Sequence, residues 1–98
     1  MNDLRFEWDP VKAAINLRKH GVTFEDAQTA FLDDHALVVD DPDHSGDESR
    51  AVLLGISASL RMLVVVHVCR TDRGTIRLIS ARRATMSERA TYVMRLRR

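Results

Sequence analysis

The sequence predicts an α+β domain in two layers: two N-terminal helices, a four-stranded antiparallel sheet and a C-terminal helix. Three observations carry this. Apolar residues recur at helical spacing up to Leu32, give way to strand-like runs between Ala36 and Arg82, and a helix-capping pattern returns at Thr85.

Asp9-Pro10 starts the first helix, because Asp can cap free amides and Pro at the first helical position loses no needed hydrogen bond. Ala13, Ala14 and Leu17 follow at helical spacing, and His20-Gly21 closes the segment. Thr23 resembles the cap of a second helix, with Val22 placed to staple onto Ala27 and with Phe24, Ala27 and Phe31 on one stripe. Strands are expected over 36–40, 50–57, 60–70 and 75–82. A turn-rich segment, Asp41 to Asp47, separates the first two, and Thr71-Asp72-Arg73-Gly74 joins the last two. Short connections make an antiparallel meander the natural order. The run Leu63 to Val68 is nearly continuous in apolar side chains, so it belongs at the centre, with the shorter strands at the edges. Thr85-Met86-Ser87-Glu88 has capping-box spacing and opens a third helix with Tyr92, Val93 and Leu96 on its apolar side.

With 98 residues, 45% hydrophobic and 30% charged, the chain fits one globular domain spanning residues 1–98. No apolar stretch is long enough to cross a bilayer and the first residues have no signal-peptide core, so no membrane association is expected. The single Cys69 rules out an internal disulfide and fits a reducing, cytoplasmic setting. Net charge is only +1 but is unevenly spread. Residues 1–49 hold twelve acids and four bases, whereas residues 50–98 hold eleven arginines and two acids. Arginine presents a planar fork of donors suited to phosphate or carboxylate, so the second half is a candidate surface for an anionic partner.

Other chemistries lack support. His20, His35, His44 and His67 have no zinc-ligand spacing, and the four glycines form no phosphate-cradling loop, so neither metal nor cofactor is expected. A serine triad built from Ser45 or Ser80 is a set that any chain of this size can supply. His67, between Val66 and Val68, reads as a core residue, while His20 and His44 are placed to be accessible. Arg77 alternates with Ile76 and Leu78, which sends it to the opposite face. A simple hairpin places Arg82 nearer Arg61 than Arg70, putting arginines at both ends of the sheet.

Several separated motifs, in order along nearly the whole chain, resemble the BrnT family of type II toxins. They are Phe6-Glu7-Trp8-Asp9-Pro10; Lys12, Asn16 and Lys19 through Ala27; His44-Ser45 with Glu48 and Arg50; and Ile79 through Ala84 with Glu88 and Tyr92. The resemblance implies a RelE-like fold and an endoribonuclease that inhibits translation. It also implies a BrnA-type antitoxin whose ribbon-helix-helix part binds operator DNA, the toxin reaching DNA only through it.

Metal-free RNA cleavage needs cations on the phosphate oxygens and groups that move protons at either end of the reacting linkage. Arg82 and Arg83, with Arg70 or Arg77, are the candidates for the scissile phosphate. His20, Lys19, Glu48 and Tyr92 are candidates for proton transfer or orientation, and Arg77, Arg61 and Arg50 for the RNA backbone. The substrate that the resemblance implies is RNA, free or on the ribosome. The rival reading is a module that uses its basic half to bind nucleic acid or protein without catalysis.

Overall fold

A computed structural model describes residues 4–41, 50–70 and 74–97, with Arg70 described for its backbone alone. The elements are β1 (Arg5–Glu7), α1 (Pro10–His20), α2 (Phe24–Thr29) running into a 3₁₀ turn (Ala30–Leu32), β2 (Leu37–Asp40), β3 (Arg50–Ile56), β4 (Met62–Arg70), β5 (Thr75–Arg83) and α3 (Met86–Leu96). Local signals account for the helix ends. Asp9 accepts the Val11 amide at 2.8 Å, Gly21 takes the left-handed conformation (φ 71°) that stops α1, and Thr23 accepts the Asp26 amide at 3.0 Å. Thr85 and Glu88 form the expected reciprocal capping box.

The sheet is five-stranded and mixed, in the order β1-β5-β4-β3-β2, rather than four-stranded and antiparallel. The meander β2 to β5 is as expected, with β4 central and the two shortest strands at the edges. The additional strand is β1, which pairs in parallel with β5: Phe6 lies opposite Ile76 and Glu7 opposite Arg77. Three residues with one apolar side chain give no periodic signal, and the partner strand lies far along the chain. Phe6 is the inward residue, its ring edge-on to Phe31 with centroids 5.1 Å apart.

One face of the sheet, the inner face, is sealed by the two N-terminal helices. Leu53, Leu63, Val65, Leu78 and Ala81 pack there against Val22, Phe24, Ala27 and Ala30, all essentially solvent-free, with Trp8 edge-on to Phe24. His67 belongs to this layer, buried and edge-on to Phe31, its Nδ1 3.2 Å from the Val65 carbonyl. Burial holds its pKa below the ordinary histidine value. The outer face is covered at one end by α3, through Tyr92 on Leu54, Met62 and Val64. Tyr92 is the one buried residue of α3, whereas Val93 and Leu96 are exposed, contrary to the expected three-residue stripe. Among the described residues no helix is long and apolar enough to cross a membrane.

Candidate active site

Residues paired across strands share a face. Arg50, Val68, Arg77 and Glu7 therefore make one row on the outer face, and Val66 with Ser80 and Val64 with Arg82 make two more. Arg77 stands opposite the side of Ile76 and Leu78, as alternation predicts, and its Nη1 lies 3.6 Å from Glu7 Oε2. A β-bulge decides the rest. Val66 faces Ser80 but His67 faces Leu78, so Ile79 is the extra residue on β5. Uninterrupted alternation from Arg77 would turn Ala81 outward and Arg82 inward. The bulge reverses this, placing Ala81 in the core and Ser80 and Arg82 outside.

Beyond β1, the outer edge of β5 is taken up by α1. Asn16, 5% exposed, donates from Nδ2 to the carbonyls of Ala81 (2.8 Å) and Val22 (3.0 Å), and its Oδ1 accepts the Ala81 amide at 3.0 Å. One carboxamide thus replaces a strand neighbour on both polar groups of Ala81. Lys12, Asn16, Lys19 and His20 fall on one stripe of α1, and they line a shallow groove together with Ser80. Lys19 is exposed and His20 half-buried at the end of the helix.

Arg82 lies two residues beyond Ser80 on the same face. Its Nη1 and Nη2 donate to Glu88 Oε1 and Oε2 at 2.8 and 2.9 Å, and Nη1 also reaches the Arg83 carbonyl at 3.2 Å. The Arg82 hydrogen bonds bring the Glu88 pKa down to about 2, and the same bonds raise that of Arg82. Glu88 also accepts the Thr85 amide, so the α3 cap sets the orientation of this guanidinium. Of its five N–H bonds, the Nε–H and one Nη2–H are not used in these contacts.

Arg83, the next residue, is turned to the other side. It lines a separate cleft with Arg61 and Arg89, around the β3–β4 hairpin tip. Arg61 donates from Nη1 to the Gly21 carbonyl at 3.1 Å. Hairpin register thus brings Arg61 and the Arg82-Arg83 pair to one end of the sheet, while Arg50 and Arg77 lie toward the other. Arg70 pairs with Thr75 at that far end, its side chain outside the description. Glu48 and His44 lie outside the described residues.

Tyr92 lies apart from the groove, on the face of α3 that packs on the sheet. It is 3% exposed and donates its hydroxyl to Asp33 Oδ2 at 2.6 Å. Burial, reinforced by that bond, pushes its pKa up to about 12. Burial raises the Asp33 carboxyl too, but hydrogen bonds from Tyr92, Ile56 and His35 outweigh it and leave the pKa lowered. The phenol, so bonded and packed, holds α3 on the sheet. Lys12, Ser80 and Arg89 escaped the sequence-based site. Lys12 shares a helical stripe with Lys19 and His20, a signal that was there to read, whereas Ser80 and Arg89 join their clusters only through tertiary packing. Among the described residues no group of three or more His, Cys, Asp or Glu comes together to hold a metal.

A family model described as "Ribonuclease toxin, BrnT, of type II toxin-antitoxin system" matches residues 8–88. The span includes Lys12, Lys19, His20, Ser80, Arg82 and Arg83. No curated protein matches the chain.

Proposed function

The chain belongs to the BrnT family, the ribonuclease toxins of type II toxin-antitoxin systems, and from that premise we propose that it cuts RNA without a metal ion in the groove between α1 and β5. The observation that carries this reading is the convergence of His20, Lys12 and Lys19 over Ser80, two residues from Arg82 on one face. Histidine is the side chain whose ordinary titration lies near neutral pH, so His20 is assigned the proton of the ribose 2′-hydroxyl. The freed oxygen bonds to the adjacent phosphorus and the bond to the 5′-oxygen breaks. That oxygen takes up a proton, which this reading assigns to Lys19 on the same stripe of α1. The products are a 2′,3′-cyclic phosphate and a 5′-hydroxyl. Arg82, held by Glu88, and Lys12 stabilise the charge on the phosphate oxygens.

Arg77 and Arg50, in one row on the outer face, extend the path of the RNA, with Arg70 at the same end of the sheet. Glu48 enters on the family likeness. The partner is a BrnA-type antitoxin that covers the cationic surface and carries the contact with operator DNA, and the setting is the cytoplasm, where cleavage of RNA stops translation.

Incubation of the purified protein with RNA in a metal chelator should yield fragments ending in 2′,3′-cyclic phosphate. His20→Ala should lower the rate about 10²- to 10⁴-fold with an unchanged melting temperature. A fully active His20→Ala protein would remove His20 from the mechanism, and intact RNA bound by the native protein would favour a binding module.

A further inference from the structure

The cleft at the β3–β4 hairpin tip is separate from the groove that holds His20. Its described lining includes three guanidiniums, Arg61, Arg83 and Arg89, together with Ser59 and Leu60, and no carboxylate. Among the described residues the acids bonded near this cleft make their contacts behind it or to Arg82. Asp26 accepts the hydroxyls of Ser57 and Ser59 at 3.0 and 2.7 Å, and Glu88 holds Arg82. Arg83 and Arg89 are exposed and have no ion pair among the described residues. Three cations that line one cleft with no carboxylate among its described lining residues repel one another, a cost that an anion in the cleft lowers.

The hairpin adds a second, independent observation. Leu60 is 85% exposed and has a φ of 64°, the one non-glycine residue with positive φ among those described. An L-residue in this region costs roughly 1–2 kcal/mol. The turn is held by the Leu60 amide on the Ser57 carbonyl (2.9 Å) and the Ser57 amide on the Arg61 carbonyl (2.8 Å). The left-handed position of this short hairpin loop thus displays a leucine to water beside three arginines.

Two links tie the cleft to the groove. Arg61 bonds the carbonyl of Gly21, the residue after His20, and Arg83 adjoins Arg82 in β5. We propose that this cleft is a second phosphodiester site. It holds the RNA backbone beside the reacting linkage, and Leu60 supplies an apolar ledge for the attached nucleoside. This rests on the ribonuclease reading above, and it gives that reading a direction: the strand runs from the α1 groove across the end of the sheet toward the hairpin tip.

The test uses the native chain and Arg83→Gln/Arg89→Gln, which leaves the Arg61 bond to Gly21 in place; matching melting curves show that both fold. Binding of a labelled, fully 2′-O-methylated single-stranded RNA, which cannot be cut, should weaken about tenfold, as expected for two lost cationic contacts. The slope of log affinity against log salt should become shallower by about 0.7 for each phosphate released. With cleavable RNA, the advantage of a tetranucleotide over a dinucleotide in kcat/KM should collapse in the variant. Leu60→Gly, which relieves the positive φ, should melt no lower than the native chain yet bind the RNA several-fold more weakly. Unchanged affinity and salt slope in the double variant would overturn the proposal. So would retained RNA affinity combined with lost affinity for the antitoxin, which would make the cleft a protein-docking surface. A native chain that binds but does not cut would sink the ribonuclease reading alone, because the uncleavable RNA still reports on the cleft.

Discussion

The two faces of the sheet are built from the same strands and do opposite work. The inner face is closed by α1, α2 and the 3₁₀ turn, and its side chains are almost wholly removed from water. The outer face is covered at one end by α3 and elsewhere presents Arg50, Arg77, Ser80 and Arg82. Strand alternation makes this division possible, since each residue contributes to one face only. The inner face carries the stability, so the outer face can gather like charges at a tolerable cost. Between them stand a few polar residues at the seams, and these test the division.

Asn16 stands at the seam between the inner layer and the α1 groove. Asn16→Ala leaves the amide and carbonyl of Ala81 and the carbonyl of Val22 without partners. A loss of about 3 kcal/mol is expected, read as a lower denaturant midpoint, together with impaired cleavage because α1 no longer rests on β5. A stable, inactive variant would show that the groove and the fold are separable there. Tyr92→Phe keeps the packing on Leu54, Met62 and Val64 but removes the bond to Asp33. About 1.5–2 kcal/mol should be lost, and calorimetry should find the cleavage rate of the folded fraction changed little.

The smallest effect is the most specific. The Glu88 pKa in the fold, about 2, lies below the ordinary 4.5, so its pair with Arg82 stabilises fully above roughly pH 4.5 and fades as the pH falls toward 2. Glu88→Gln keeps a capping acceptor but loses the charge, so its melting curve should fall below that of the native chain by the equivalent of about 1 kcal/mol or less at pH 7. The two should converge at low pH. Curves that stay parallel through this range would mean that the pair adds nothing to stability.

Much of this division was legible in the chain, and what escaped has a common physical cause. Caps such as Asp9, Thr23 and Thr85 act on amides two or three residues away, so a short window of sequence contains both partners. The meander joins neighbours through short links, and the placement of Arg77 needs only alternation. The strand β1 was invisible because its partner begins at Thr75. The bulge at Ile79 also left no signature, although it decides that Ser80 and Arg82, and not Arg83, share the outer face with Arg77. His20 and Lys19 stood out by type, but their meeting with Ser80 depends on Asn16 reaching a strand 65 residues later. The bond that fixes Tyr92 was hidden for the same reason, since Asp33 lies 59 residues before it.

The span closed by Asn16 has a consequence for how the protein comes into being. During synthesis, α1 emerges early and must wait for β5 before either wall of the groove exists. A ribosome-bound or prematurely terminated chain that stops short of Ala81 therefore lacks the amide and carbonyl on which Asn16 seats α1. The docking of α1 on the edge of the sheet is therefore a late event relative to the formation of α1 itself, because the partner groups of Asn16 lie 65 residues further along the chain.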